Sequence, residues 1–400
     1  MYHTYKQQEL QLLPEFESLL YSNGELQTEV GNIVPGLPKI KHYTTVKQVN
    51  SSGKLAVTGV AEMNISNMNP GYFDAGNNLV ANPGLQKALA SLVTSKYKNY
   101  AKGSSPSAND RLSIALVDLS GNKINAPQYA GWGSTVARYP ASTAKMAILY
   151  GVIQLRFDLE NYFKANGVTN TADISKWLGN FQKEYKLPGS QLNWSKLFIY
   201  ENYSSGAIKV KTSADLFTTL INAFEKNDNG AASKLLHSIS YPYLASALMQ
   251  SGITHPVNGG LWLVNDYGGY NRPWTNRPSV KFNTSGSHNA TALSCATYFT
   301  LMAQGRLIND ASSTAISNIL NKACSFFWTA AAKAAIDVTG DVPTKCGVWS
   351  KYKSDVILIN YKNGKCKYVA CVLSDLAGDA TFKLDEMLID FDTLIRANNP

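Results

Sequence analysis

The 400-residue sequence has few of the residues and patterns on which metal and redox proteins depend. Its five cysteines all lie in the last third of the chain and show no C-x-x-C spacing, so neither a zinc ribbon nor a dithiol redox centre is predicted. The five histidines are far apart and form no H-E-x-x-H pattern, which argues against a metal centre and a histidine-based triad. We therefore expect no metal and no cofactor.

Long apolar runs, charge runs and nucleotide-binding patterns are missing as well. The longest apolar stretch, 146–155, follows Lys145, includes Gln154 and falls short of the roughly 18 residues that a membrane helix needs. The net charge of +9 is spread over single lysines with no run of five basic residues, so we expect no nucleic-acid partner. The patterns G-x-x-x-x-G-K-[ST], G-x-G-x-x-G and G-x-S-x-G are absent, which argues against nucleotide chemistry.

A secretory signal is not visible either. The first thirty residues show no basic segment followed by an apolar core, because acidic and amide side chains interrupt every candidate. As numbered, the chain is expected to carry no export signal. It would be cytoplasmic as written, or exported if a leader has been removed, so its location stays open.

What is present is the composition of a globular protein, with 44% hydrophobic and 16% charged residues. Residues 1–82 are rich in Gly, Pro and Asn and are predicted to be an N-terminal extension to one domain, 83–400. In that domain, sheet-forming segments at about 83–140 and 335–400 flank a helical segment at about 141–334. The predicted fold class is α/β (α+β), an antiparallel sheet built from both chain ends with flanking helices and an inserted all-helical subdomain.

The register of the C-terminal hairpin can be derived from its turn. Two strand-like segments, 356–361 and 367–373, flank the two-residue turn Asn363-Gly364. Such a turn pairs residue 366 with 361 and residue 371 with 356, so neither Cys366 nor Cys371 faces another cysteine. No disulfide across this hairpin is predicted.

One pattern that can support catalysis, S-x-x-K, occurs five times and places an amine one helical turn from a hydroxyl. Only Ser142 stands where an extended segment enters a strongly apolar helix, at the positive end of the helix dipole. Burial of Lys145 would lower its pKa and let the neutral amine accept the serine proton. Alternatively, Ser142 is a plain helix N-cap and Lys145 extends its amine to solvent.

Two further segments follow Ser142 in the chain: Asn227-Asp228-Asn229 ahead of a helix-like run, and Lys345-Cys346-Gly347 at the start of a strand. Together the three segments resemble the signatures S-x-x-K, S-D-N and K-T-G of the penicillin-recognising serine enzymes, closest to class A β-lactamases. The resemblance covers residues 83–400. It implies a β-lactamase/transpeptidase-like fold, a bacterial penicillin-binding or serine hydrolase protein, and an acyl-enzyme intermediate.

The resemblance also implies a role for each matched position. The positions that carry the reaction are Ser142 (acylated nucleophile), Lys145 (its proton partner), Asn227 (first residue of the middle signature) and Lys345 (anchor for a substrate carboxylate). The positions that bind substrate are Asn229 (a substrate amide), Cys346, Gly347 and Val348. Main-chain N–H groups of Ser142 and Val348 would form the oxyanion hole, worth about 3 kcal/mol per donor. The implied substrate is a small molecule or peptide-like amide or ester that bears a carboxylate.

Three departures from the signatures bear on activity. Asn227 stands where the family has serine, and an amide cannot relay a proton as a hydroxyl can. Cys346 replaces threonine and would bond a carboxylate more weakly. No glutamate occurs in residues 226–385, where class A enzymes carry the glutamate that activates the deacylating water, and Asp266 is a candidate substitute.

These departures leave two functions open. The first is a serine hydrolase or acyl-transfer enzyme with slow deacylation, in which efficient β-lactamase activity is one version beside amidase, esterase or peptidase activity. The second is a catalytically degenerate binding or assembly protein of the same fold. Asn227 and the missing glutamate favour the second, whereas the intact Ser142, Lys145, Asn229 and Lys345 favour the first.

Overall fold

The computed structural model describes residues 47–49, 55–57, 79–101, 103, 105–107, 110–183, 194–203, 206–251, 253–255, 259–263, 267, 288–338 and 340–400. Most of the predicted N-terminal extension and the candidate Asp266 lie outside these residues. In the described part of the chain, no helix has the length and apolar character needed to cross a membrane.

The strands of the described residues are, in chain order, Lys47–Val49 (β1), Leu55–Val57 (β2), Val80–Ala81 (β3), Leu112–Asp118 (β4), Gln128–Trp132 (β5), Phe198–Asn202 (β6), Ile208–Thr212 (β7), Thr254–His255 (β8), Gly259–Gly260 (β9), Thr344–Trp349 (β10), Tyr352–Asn360 (β11) and Lys367–Ser374 (β12). The helices are Pro83–Ser95 (α1), Lys145–Ala165 (α2), Ile174–Lys183 (α3), Trp194–Leu197 (α4), Ala214–Phe224 (α5), Asn229–Ile239 (α6), Tyr241–Gln250 (α7), Ala292–Ala303 (α8), Asp310–Leu320 (α9), Ala330–Ala335 (α10) and Leu384–Ala397 (α11).

The central sheet has the strand order β10-β11-β12-β4-β5-β3 and so combines both ends of the domain. Its neighbours are antiparallel except for β3, which pairs parallel with β5. This architecture confirms the predicted fold class. The hairpin register is confirmed too, because Cys371 lies opposite Val356 and the Cys366 main-chain oxygen accepts from Tyr361 N at 2.9 Å.

Apolar cores cover both faces of this sheet. In β12, Val369, Cys371 and Leu373 face the core shared with the helical segment, while the alternate residues face a second core formed with α1 and α11. Successive strand residues point to opposite faces, so a strand buried on both sides reads as a continuous apolar run. The sheet is therefore the middle layer of three, and β10 lies at one of its edges.

The inserted segment is mainly helical, but the prediction of an all-helical subdomain needs a correction. Two small antiparallel sheets occur within it, β6 with β7 and β8 with β9. In β7 the buried residues Ile208, Val210 and Thr212 alternate with the less buried Lys209 and Lys211. This period of two is typical of a strand, and a helix would have buried residues spaced by three and four.

Candidate active site

The segment around Ser142 joins the sheet to the long central helix. Chain from Arg138 to Pro140 leads into a 3₁₀ turn, Ala141–Ala144, and α2 begins at Lys145. Ala141 has a φ of 48°, a conformation that is uncommon for a residue with a side chain. Ser142 follows it and is half-buried. The hydroxyl thus lies at the amino end of the helical segment, where the main-chain dipole is positive.

Lys145 is fully buried, although it is the first residue of α2. Its Nζ donates to the main-chain oxygen of Asn227 at 2.8 Å and to Asn227 Oδ1 at 3.1 Å. The amine also lies 5.4 Å from the ring centre of Tyr267. Burial lowers the pKa of the Lys145 amine below its usual 10.5, and the nearby Asp228 opposes that change only in part. The alternative of a solvent-reaching lysine is therefore wrong.

Asn227 lies between α5 and α6 in a left-handed conformation, with a φ of 53°. Asn adopts this conformation more readily than most residues, because its short amide can bond locally. The next residue, Asp228, is the N-cap of α6 and accepts hydrogen bonds from Gly230 N and Ala231 N. Asn227 is therefore placed immediately before the capped first turn of α6.

Lys345 reaches the same amide from the edge strand β10. It is fully buried, and its Nζ donates to Asn227 Oδ1 at 3.1 Å and to the main-chain oxygen of Cys346 at 2.8 Å. Burial and the nearby charge of Lys145 lower the pKa of the Lys345 amine. One amide oxygen therefore accepts hydrogen bonds from two buried amines.

Gly347 brings β10 against the turn that holds Ser142. A Cβ atom on Gly347 would lie 2.5 Å from Pro140 O, 2.6 Å from Thr143 N and 2.7 Å from Ser142 N. Ser354 ties the two segments together, since its Oγ donates to Pro140 O at 2.7 Å and bonds Thr143 Oγ1 at 2.8 Å. This contact holds the main chain of β10 beside the main-chain N–H of Ser142.

The structure thus brings Lys145, Asn227 and Lys345 together and packs Gly347 on Ser142. No hydrogen bond of Ser142 Oγ to any described residue is present. Asn229 is the exposed first residue of α6, and no described residue of this cluster bonds its side chain. Among the described residues, no group of histidine, cysteine and carboxylate side chains is arranged to bind a metal.

A disulfide between Cys324 and Cys346 was not predicted from the sequence. It corrects the expected role of Cys346, because a sulfur bonded to sulfur carries no hydrogen to donate to a substrate carboxylate. Cys324 Sγ also lies 3.4 Å from Lys345 Nζ, so the disulfide borders the site. The two cysteines are 22 residues apart with no local pattern, and only the pairing of β10 with the preceding loop brings them together.

Asp355, on strand β11, binds the loop that follows Cys324. Its Oδ2 accepts from Ser325 Oγ at 2.8 Å and from the main-chain nitrogens of Phe326 and Phe327, while Oδ1 accepts from Thr344 Oγ1. Burial raises the pKa of this carboxyl to about 6. Asp355 was also missed from sequence, because its partners come from a loop about 30 residues away.

The disulfide should contribute to the stability of the folded chain. We expect the double replacement Cys324→Ser and Cys346→Ser to lower the free energy of unfolding by about 3 kcal/mol, since the bond closes a loop of roughly 22 residues in the unfolded state. Denaturant unfolding with and without reductant measures this. Reductant should destabilise the wild type and leave the double variant unchanged, and an unaffected wild type would contradict the expectation.

Comparison with known proteins gives likenesses of structure only. No protein-family model matches the chain, and no curated protein matches it in sequence. The chain is similar to PBP-A at 14% identity, with a TM-score of 0.46 over 80% of this chain and 97% of PBP-A. It is similar to a class A β-lactamase from Mycobacterium abscessus at 14% identity (TM-score 0.44, 78% of this chain and 98% of the other). An ancestral (GNCA) class A β-lactamase resembles it at 16% identity (TM-score 0.46, 78% and 99%).

Proposed function

We propose that this chain is a serine acyl-transfer enzyme or hydrolase in which Ser142 attacks an amide or ester and forms an acyl-enzyme. The observation that carries the proposal is the convergence of two buried amines, from Lys145 and Lys345, on the amide of Asn227, with Ser142 one helical turn before Lys145. Burying two lysines is costly in free energy, and such groups are concentrated at functional sites.

Each residue of the site has a chemical task in this proposal. Neutral Lys145 accepts the proton of Ser142 as its oxygen attacks the carbonyl carbon. The main-chain N–H groups of Ser142 and Val348 stabilise the oxyanion, and the contact at Gly347 supports this by holding both segments together. A protonated Lys345 would attract a substrate carboxylate, so a carboxylate-bearing small molecule or peptide-like substrate is proposed.

Hydrolysis of the acyl-enzyme is proposed to be slow. Deacylation needs a base that activates water, and residues 226–385 contain no glutamate. Asp228 is near Lys145, and its Oδ1 caps α6 by accepting from two main-chain N–H groups. Asp355 is buried under four donors from the loop and β10. Both carboxylates thus have structural roles, in capping α6 and in holding the loop before β10.

Intact-protein mass spectrometry tests the proposal. After incubation with benzylpenicillin, we expect a long-lived adduct of one acyl group per wild-type chain and none on the Ser142→Ala variant. A fluorophosphonate serves as the second probe. It labels activated serines in a reaction that releases no amine. Rapid turnover without a detectable adduct would contradict slow deacylation.

The same experiment separates the second candidate function. Asn227 in place of a proton-relaying hydroxyl is the observation that favours a catalytically degenerate binding or assembly protein. If neither probe labels Ser142 in a folded chain, the enzyme proposal fails. A catalytically degenerate binding or assembly protein is then the remaining candidate.

A further inference from the structure

The two buried amines of the site share an acceptor and have no carboxylate partner within the part of the chain that the structure describes. Lys145 Nζ and Lys345 Nζ each lie 3.1 Å from the same atom, Asn227 Oδ1. Among the described residues, neither lysine forms an ion pair. The charged groups that act on them are Asp228 beside Lys145 and Asp355 beside Lys345, both occupied by other donors.

Two ammonium groups in this position repel each other and have lost their solvation. Both effects favour loss of a proton, and for two coupled groups the protons leave in separate steps that belong to the pair. The pKa of each amine is lowered by burial, and that of Lys345 is lowered further by the charge of Lys145. The first of the two protons is therefore lost more easily than from an ordinary lysine, and more easily from Lys345 than from Lys145.

Asn227 Oδ1 can hold such a pair whichever amine is charged. An amide oxygen has two lone pairs and accepts from a neutral amine as well as from an ammonium. The amide cannot carry the proton itself. Asn227 therefore holds the two amines in place, whereas the serine of the S-D-N signature could relay a proton. The two amines belong to different elements that both adjoin the Ser142 segment: Lys145 is one turn beyond Ser142 at the start of α2, and Lys345 is on β10, whose Gly347 packs on Ser142 N.

From this geometry we infer that Lys145 and Lys345 share one proton and act as a base and acid pair, in which Lys345 protonates the leaving group. This inference rests on the proposed function. It deepens that function, because it assigns Lys345 a proton-transfer step where the resemblance implies only a carboxylate anchor. It also defines which substrates need Lys345.

The step balances without any further reactant, starting from the form of the pair in which the single shared proton is on Lys345. The Ser142 proton moves to neutral Lys145, the Ser142 oxygen bonds to the carbonyl carbon, and the carbon–nitrogen bond of the amide breaks. The leaving nitrogen takes a proton from the Lys345 ammonium. Lys145 is then charged and Lys345 neutral, so the pair keeps a single positive charge. Lys145 then loses a proton to water and Lys345 gains a proton from water, which restores the starting state.

A leaving group that departs as a stable anion needs no such proton. We therefore compare two probes on the full-length chain: benzylpenicillin, whose ring nitrogen must be protonated, and p-nitrophenyl acetate, whose phenolate leaves unprotonated. The variants are Lys345→Arg, which keeps the charge but does not release a proton, and Lys345→Met, which removes both. Rates of Ser142 acylation are measured from pH 6 to 10, because removal of one amine changes the pKa of the other.

In both variants, acylation by benzylpenicillin should fall about a hundredfold at its best pH, the loss typical of a missing general acid. Acylation by p-nitrophenyl acetate should stay within about threefold, and fluorophosphonate labelling should show an intact nucleophile. Equal losses with both probes, or retention of penicillin acylation by Lys345→Arg, would overturn the inference. If wild-type Ser142 reacts with none of the probes, the proposed function itself fails, and the two failures are thereby distinguished.

Discussion

Replacing Lys145 with methionine should lower the rate of Ser142 acylation by about a thousandfold while the chain stays folded, because this amine is the proposed proton acceptor of the nucleophile. Methionine matches much of the volume of lysine and needs no hydrogen bond, so the buried position at the start of α2 can accommodate it. Stopped-flow or quenched labelling with p-nitrophenyl acetate measures the loss. The Lys351→Met variant is a matched control, since Lys351 is an exposed lysine beyond β10.

The pH dependence of stability provides a second readout for Lys145. Its pKa in the folded chain is below the usual 10.5, so the unfolded chain binds more protons in the interval between the two values. Wild-type stability should therefore rise with pH across that interval, and Lys145→Met should reduce the rise. Denaturant unfolding at several pH values tests this. Wild-type acylation by the Lys145→Met variant would contradict the role of Lys145 as proton acceptor. An unchanged pH dependence of stability would contradict the burial of an easily deprotonated amine.

Replacing Gly347 with alanine should lower acylation by about a hundredfold to a thousandfold, the loss expected when an oxyanion donor is displaced. The added methyl group would come within 2.7 Å of three main-chain atoms, and no side-chain rotation can relieve that contact. Either β10 or the turn at Ser142 must shift. Overpacking of this kind also destabilises a protein by about 1–3 kcal/mol.

Gly378→Ala is the matched control, because a Cβ atom there meets nothing within 4 Å and its backbone is not left-handed. Its acylation rate and melting temperature should equal those of the wild type. For Gly347→Ala, the acylation rate is compared with the melting temperature, so that loss of geometry is separated from loss of fold. Wild-type acylation in Gly347→Ala would show that close packing of β10 on Ser142 is not required.

Several structural features were predictable because their causes are local. The strands of the C-terminal hairpin and their register follow from two short strand-like segments and from the two-residue turn at Asn363 between them. The helix after Ser142 was predictable from its apolar sequence. In contrast, the strand β7 was missed within a segment interpreted as helical, although its alternating residues carry a signal with a period of two.

The chain by itself determined which residue types the candidate site contains: one serine at a helix start, two lysines in matched segments, and an asparagine where the penicillin-recognising enzymes that it resembles have a hydroxyl. Tertiary structure decided that Lys145 and Lys345 are both buried and donate to one amide oxygen, and that Cys346 is bonded to Cys324. The reason is physical. Hydrogen-bond patterns within a helix or hairpin depend on neighbours in sequence, whereas burial and the sharing of one acceptor depend on which distant segments the sheet brings together.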